Sequence, residues 1–527
     1  MKKIMTRCTA LLCVMLLSFA TVHAAQAPKI QRVGDAWRLI VDGKPALLLG
    51  GEMHNSTAST HYSLELAMAT LKAMGLNTVL VPITWEQLEP QERQYDFTQA
   101  DDVVDQLAKH GMYGVVLWFG TWKNGESSYA PLWVKQDTKR FFRVLDVNGK
   151  NTTIISPLCD EACKADARAF AVLMKRIRDR DTEGRVVAVQ VENEVGAFTD
   201  IDRSAAALKS FARSAEYMDY GDSDEAKHLF MGRVYAQYLE RVTRAGKAAC
   251  NLPMFANCWL PKTNAKLGDY PNGGPVPDLI EVWKKYAPSI DWLSPDIYGK
   301  TFRTHCADFD RSDNLVFIPE TWARPEHLWY AYAEHNAQCV APFAIEDAYN
   351  DSLFVGSIKV LHELLPVISE AQGSGRMHGF MREGDEDGAE FDIGDYHFEV
   401  KYLKQLKKHF GLVIQTAPDE FLFSGMGARV FISNRDSTLM TRFTEVRDVI
   451  RDGDHWFTTC LINGDQTRHN GCINLRGRTA NEPFGDIPAP LTNISYSRIT
   501  WPENVSRFIL PGIITAKIFT IESSPQR

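Results

Sequence analysis

From Lys29 to about Ala371 the chain alternates, eight times over, between a short apolar run and a longer stretch. In the better-marked of those stretches, apolar residues recur every three to four positions. That alternation constrains the fold more than any other feature, because repeated strand-helix units return by crossovers onto parallel strands. The runs fall at residues 46–51, 78–83, 114–119, 186–191, 253–256, 290–293, 315–318 and 339–343. A hairpin is expected to lead in, with a strand at residues 37–41 and its turn at Asp42-Gly43. The first helix shows the pattern: Leu64, Ala67, Met68, Leu71 and Met74 form one stripe, and Gly75 stands where a C-cap belongs. Val103, Val104 and Leu107 mark a second helix, stopped by Gly111. Phe170, Leu173, Met174 and Ile177 mark another, after a long insertion at residues 121–157. Eight such units in about 340 residues suit a (β/α)8 TIM barrel, read here as residues 25–375. An open doubly wound sheet is the competing arrangement, but no GxGxxG follows an early strand.

Past Ala371 the texture changes. Gly373 and Gly375 loosen the chain, an acidic run from Glu383 to Gly388 reads as a solvated loop, and later segments are short and alternating. Residues 430–432, 456–457, 473–475 and 514–519 read as antiparallel strands, so a C-terminal antiparallel, sandwich-like β domain is expected over residues 376–527. The chain of 527 residues is long enough for both units.

Residues 1–24 read as a secretory signal peptide: Lys2, Lys3 and Arg7 precede an apolar stretch, and Val22-His23-Ala24 offers a small-residue cleavage site. The expected location is therefore outside the cytoplasm, periplasmic or secreted. No continuous apolar run reaches the roughly 18 residues of a membrane span, so none is expected. Losing those three positive charges with the leader takes the formal charge from −8 to −11, which disfavours nucleic acid and anionic membranes as partners. Cys8 and Cys13 would leave too, and export permits disulfides among the rest. Cys159 with Cys163, and Cys460 with Cys472, are close enough in sequence to bridge. No CxxC or HExxH occurs and the 14 His are scattered, so no metal site is expected. Asn55, Asn151, Asn350, Asn493 and Asn504 begin sequons that matter only in a glycosylating host.

In such a barrel the polar residues at the C-terminal ends of the strands carry the chemistry. Glu194 closes the fourth run and Glu320 the seventh, 126 residues apart, which is three units of about 42. Two acids at strand ends of one barrel can converge on a glycosidic bond, one protonating the leaving oxygen and one attacking the anomeric carbon. Glu52 and His54 follow the first run, where sugar hydroxyls could be bound, although a lone His also serves structure. Trp118, Trp122, Trp259 and Trp322 are candidates either for a sugar-stacking platform or for core. Glu192, two residues before Glu194, should point the same way along an extended strand, lining the barrel mouth or serving structure.

The Asn193-Glu194 pair together with Glu320 resembles the clan A retaining glycoside hydrolases. Asp42-Gly43-Lys44-Pro45, Gly75-Leu76-Asn77-Thr78-Val79, Trp85 with Glu89-Pro90, Tyr95-Asp96-Phe97, and Gln190 to Gly196 are similar to the β-galactosidases of families 35 and 42. That likeness runs over most of residues 35–350. The stretches 415–421 and 461–465 resemble the accessory β domain of a bacterial subgroup of such enzymes. The resemblance implies a retaining mechanism with Glu320 as nucleophile, Glu194 as acid and then base, and no metal or organic cofactor. It also implies that Tyr298 hydrogen-bonds the nucleophile and that Asn193 holds the sugar 2-hydroxyl. Glu194 should then have a raised pKa from burial and the nearby carboxylate. The pattern departs in two places: Pro82 stands where family 35 places a tyrosine, and Trp122-Lys123-Asn124-Gly125 replaces a Cys-Ala-Glu-Trp loop. Lys123, Asn124 and Glu346 are the expected replacements for the missing sugar contacts. The implied activity is removal of terminal β-galactosyl residues from plant cell-wall oligosaccharides such as xyloglucan or galactan fragments. Another clan A retaining β-glycosidase, such as an endo-acting β-mannanase or β-glucanase, and a catalytically inactive sugar-binding barrel are the alternatives. The oligomeric state is left open, a dimer included.

Overall fold

The computed structural model describes residues 26–468, 471–480 and 508–523. Residues 1–24, read above as a leader, and the sequons at Asn493 and Asn504 lie outside the described residues. Seven fully parallel strands lie side by side in chain order: Thr78–Thr84, Tyr113–Lys123, Val186–Asn193, Met254–Trp259, Trp292–Ile297, Phe317–Thr321 and Cys339–Pro342. They are the second to eighth runs of the sequence, and most reach two to four residues further towards their C-termini.

The first run, residues 46–51, is not a laddered strand. It closes the ring through isolated bridges, Leu48 to Cys339 of the eighth strand and Glu52 to both Leu80 of the second and Phe343. Backbone hydrogen bonds from Leu48 N to Gln338 O (2.9 Å), Glu52 N to Pro342 O (2.8 Å) and Leu80 N to Gly51 O (2.9 Å) complete the seam. The sheet therefore closes and is not the doubly wound alternative.

Alternation along the strands sorts the core into two layers. Leu48, Leu80, Val115, Leu117, Phe119, Phe255, Trp292 and Phe317 fill the interior, joined by Leu39 and Val41 of the lead-in hairpin. Their neighbours Val79, Val81, Val116, Trp118 and Val189 face the surrounding helices. The helices begin and end as the sequence indicates: His61–Met74 has Thr60 as N-cap and Gly75 at φ +95° as C-cap, and Thr98–His110 ends on Gly111. A 26-residue helix, Asp224–Ala249, fills the gap that strand spacing leaves between residues 191 and 253. The long insertion holds a short helix, Leu132–Gln136, and a small hairpin of Arg143–Leu145 with Asn151–Ile155.

Beyond the barrel, antiparallel strands build a six-stranded and a four-stranded sheet around Phe398, Val413, Phe421, Phe423, Val430 and Ile514. The barrel and the first of these sheets share one apolar cluster, which includes Trp329, Phe354, Leu361, Phe410 and Ile513. The helix Ser352–Ala371 belongs to that cluster. Among the described residues it is the one helix apolar and long enough to cross a membrane by length and composition, with a mean hydropathy of 1.4. Its Phe354, Val355, Ile358, Leu361, Leu364 and Ile368 are buried inside the protein.

The disulfides are also corrected. All eight described cysteines are free thiols. Cys159 precedes and Cys163 enters the helix Asp160–Arg180, and their sulfurs approach different carbonyls, of Arg140 (3.4 Å) and Tyr238 (3.8 Å). Cys460 lies on the edge strand of one sheet, and Cys472 is buried beside a strand of the other.

Where the ladder thins at the seam, Tyr332 braces it: its hydroxyl donates to Leu48 O at 2.7 Å and accepts from Val340 N at 3.2 Å. Replacing Tyr332 by Phe leaves both buried backbone groups unsatisfied, with an expected loss of about 1–3 kcal/mol. Urea unfolding checks this, and an unchanged midpoint would show that the seam does not need the brace.

Candidate active site

The C-terminal ends of the strands bring a compact set of charged groups together at the barrel mouth. Glu320 closes the seventh strand. Its Oε2 accepts a hydrogen bond from the Tyr298 hydroxyl (2.7 Å), and its Oε1 accepts one from Asn193 Nδ2 (3.1 Å). The Lys123 ammonium lies 3.6 Å from the same Oε1. Glu194 follows the fourth strand, with its backbone N–H held by Asn257 Oδ1 at 2.9 Å. Asn257 in turn donates to Asp296 Oδ2 at 2.7 Å. One oxygen from each of Glu194, Asp296 and Glu320 lies within 4.8 Å of the other two. Such a trio has the spacing to take a cation, and the Lys123 ammonium beside Glu320 already supplies positive charge there.

Burial gives these acids different characters. Burial first, then the charge of Glu320, pushes the Glu194 carboxyl up to about 8, against the opposing pull of Lys123. The same order of causes, burial and then Glu320, holds Asp296 and Glu52 well above the ordinary carboxyl range. Burial and Glu320 also raise the Tyr298 phenol, so it stays a donor. Burial works against the charge on Lys123, but Glu320, Glu52, Glu194 and Asp296 outweigh it and keep the ammonium above its usual range. Both oxygens of Glu52, Oε2 of Glu194 and Oδ1 of Asp296 make no hydrogen bond within the protein. Two facing carboxylates are both acceptors, so Glu194 and Asp296 can satisfy each other only when one keeps its proton.

The remaining candidates divide between mouth and scaffold. Asn124 sits at φ +55° in the loop after the third strand, which is pinned to the fourth by Asn124 N to Asn193 O (3.2 Å) and Gly125 N to Glu194 O (3.0 Å). Glu346 accepts from His54 N (3.1 Å) and Thr57 Oγ1 (2.6 Å), while His54 Nε2 pairs with Asp347 (2.9 Å) at the outer rim. Trp322, 50% exposed, meets Tyr298 edge-on and donates to its carbonyl, and Trp259, 37% exposed, meets Phe198 edge-on. These two aromatics present faces to solvent.

Trp118 does not, and this is a correction. It lies on the outward side of the third strand, fully buried, packed on Phe170 and donating to Asp166 Oδ1 at 2.9 Å. Trp122 is buried as well, against Tyr235 and Tyr238. Glu192 also departs from the expected direction. A φ of +63° at Glu192 and +45° at Glu194 breaks the alternation, so Glu192 turns towards the helices. There it accepts the Thr121 and Trp122 N–H groups beside Asp166. Gly120 is required at this point, because a Cβ would meet Trp118 Nε1 at 2.3 Å and Glu192 Oε1 at 2.6 Å.

Asp296 and Asn257 are site residues that the sequence reading missed. Both end barrel strands, the sixth and the fifth, so the strand-end rule that found Glu194 and Glu320 reaches them too.

Residues 38–229 match the family model of glycosyl hydrolases family 35, and residues 355–473 match a domain of unknown function, DUF5597. The first match includes Glu52, Lys123, Asn193 and Glu194 and ends before Asp296, Tyr298 and Glu320. The chain is 28% identical to a β-galactosidase of Xanthomonas manihotis over 211 residues, 37% of this chain and 32% of that one. It is 29% identical to β-galactosidase 11 of Arabidopsis thaliana over 31% of this chain and 19% of that one. It is also 29% identical to the human β-galactosidase-1-like protein 3 over 30% and 23%. The chain thus spans a third or less of the length of these relatives. The solved β-galactosidase of Rahnella sp. R3 aligns with 63% of this chain and 57% of its own at 15% identity, with a TM-score of 0.47.

The raised acid at Glu194 has a consequence independent of any substrate. Its carboxyl moves from 4.5 to about 8 on folding, so the folded protein keeps a proton that the unfolded chain loses. The stability this supports is whole below about pH 4.5 and is lost as pH rises through about 8. Glu194→Gln should therefore melt several degrees above the wild type at pH 8 and close to it at pH 4.5. Thermal unfolding across that window checks the sign, and parallel curves would contradict it.

Proposed function

We propose that this chain is an exo-acting retaining β-galactosidase that hydrolyses terminal β-galactosyl residues of plant cell-wall oligosaccharides, such as xyloglucan or galactan fragments. The observation that carries the reading is the pair Glu194 and Glu320. An oxygen of each lies within 4.8 Å of the other, and burial raises the Glu194 carboxyl to about 8, which suits a proton donor. Retaining glycosidases hold their two carboxyl groups about 5–5.5 Å apart, whereas inverting ones leave room for a water.

In this reading Glu320 attacks the anomeric carbon while Glu194 gives its proton to the leaving glycosidic oxygen. A galactosyl ester forms on Glu320. Glu194, now a carboxylate, takes a proton from water, which attacks the same carbon and frees galactose with its configuration kept. Tyr298 and Asn193 hold Glu320 in line, and Asn193 also reaches the 2-hydroxyl. Glu52, Asn124 and Glu346 grip the remaining hydroxyls. Trp259 and Trp322 stack the rest of the oligosaccharide at the rim, and His54 orders the rim beside Glu346. Lys123 serves the same pocket. The hairpin of residues 143–155 is tied to the loop after the third strand through Thr153 to Glu126 and Ile155 N to Ser127, and an insertion in that loop favours attack at a chain end. Galactose as the glycone is supported by the named relatives, and export by the leader-like residues 1–24. The C-terminal sheets buttress the barrel.

A panel of 4-nitrophenyl β-galactoside, β-glucoside, β-mannoside and α-arabinoside tests the reading, with NMR of the first-formed anomer. Preference for the β-galactoside with retained configuration is expected. Inversion, or preference for another sugar, would overturn the mechanism or the glycone respectively. Glu320→Gly should abolish hydrolysis. Glu194→Gly should slow natural galactosides by about 10²–10⁴-fold while sparing the glycosylation step for activated leaving groups. In the wild type kcat/KM should fall above about pH 8, as Glu194 loses its proton.

A further inference from the structure

The barrel mouth contains four buried carboxyl groups, Glu52, Glu194, Asp296 and Glu320, and one ammonium, Lys123. A buried carboxylate without a partner is expensive, so one cation balances one of them. The donors decide which. Glu320 accepts from Tyr298 and Asn193 and has the ammonium 3.6 Å away, whereas Glu52, Glu194 and Asp296 each present oxygens with no donor. Lys123 is itself fixed. It ends the third strand directly opposite Asn193, and its Nζ lies over the rings of Phe119 (4.9 Å) and Phe343 (5.9 Å).

We propose that Lys123 is a positioning residue, the counter-charge of the Glu320 carboxylate 3.6 Å away, and not a sugar contact. The role rests on the reading of Glu320 as nucleophile. The groups facing Lys123 are Glu52 from the first strand, Asn193 and Glu194 from the fourth, Asp296 from the sixth and Glu320 from the seventh, with Tyr298 on the far oxygen of Glu320. Tyr129, from the loop after its own strand, also feels its charge. With the ammonium removed, that set holds no other cation and only the two neutral donors Asn193 and Tyr298 remain on Glu320, so Glu320 takes up a proton at a higher pH. At neutral pH fewer molecules then carry a nucleophile.

The test compares wild type, Lys123→Met and Lys123→Arg, each first shown to be folded by its circular dichroism and melting curve. Side-chain carboxyl 13C NMR follows the titration of Glu320, assigned through Glu320→Gln, and the pH profile of kcat/KM is recorded on 4-nitrophenyl β-galactoside. In Lys123→Met the Glu320 titration and the acidic limb of the profile should both move up by at least one pH unit. Activity at pH 6 should fall at least tenfold, and Lys123→Arg should bring both titrations back towards the wild type. An unmoved Glu320 titration overturns the proposal, and a raised KM with an unmoved acidic limb would make Lys123 a substrate contact instead. A wild type that hydrolyses no galactoside sinks the functional reading alone, because the carboxyl titration still decides the role of Lys123.

Discussion

Closure of the ring at the first strand is the constraint on which the rest depends. The segment of residues 46–52 holds its neighbours through single bridges rather than ladders, yet it is the piece that carries Glu52 across to the far side from Asn193 and Glu194. Without that closure the strand ends would splay along an open sheet edge, and acids three units apart in sequence would not meet. Tyr332, reaching from a helix to both sides of the seam, supplies the hydrogen bonds that the short strand cannot.

The closed ring forces acids together, and their mutual repulsion sets their chemistry. Burial raises every carboxyl in the mouth for which a shift is resolved, and the donors are distributed unevenly. Tyr298, Asn193 and Lys123 converge on Glu320, while Asn257 alone reaches Asp296. Behind the mouth, the strained backbone at Glu192 and Glu194 sends one acid to the helices and leaves the other at the opening. The first ties the third strand to the fourth through the N–H groups of Thr121 and Trp122. Scaffold and site therefore share two adjacent turns of one strand end.

The barrel was legible because its repeat is long and its strands are buried on both faces, which writes them as continuous apolar runs. Glu194, Glu320 and Tyr298 were legible because strand ends mark the mouth. Direction was harder to read. Trp118 faces the helices because it alternates with the inward Leu117 and Phe119, and Glu192 turns away because a positive φ interrupts the period-two rule, which residue spacing alone does not reveal. The cysteine pairs were near in sequence, but each thiol is carried by a different local geometry. The helix Asp224–Ala249 lies between the fourth and fifth strand runs, where Ser223 caps it and Phe230, Val234 and Tyr238 mark its stripe.

The mechanism turns on which carboxylate forms the covalent bond. Incubation with 2,4-dinitrophenyl 2-deoxy-2-fluoro-β-galactoside, followed by peptide mass spectrometry, reads this directly, because the fluorine slows breakdown of the glycosyl ester. Stoichiometric loss of activity and one fluorogalactosyl group on the peptide that contains Glu320 are expected. A label on Glu194, Asp296 or Glu52, or steady turnover of galactosides with no trapped ester, would contradict this mechanism.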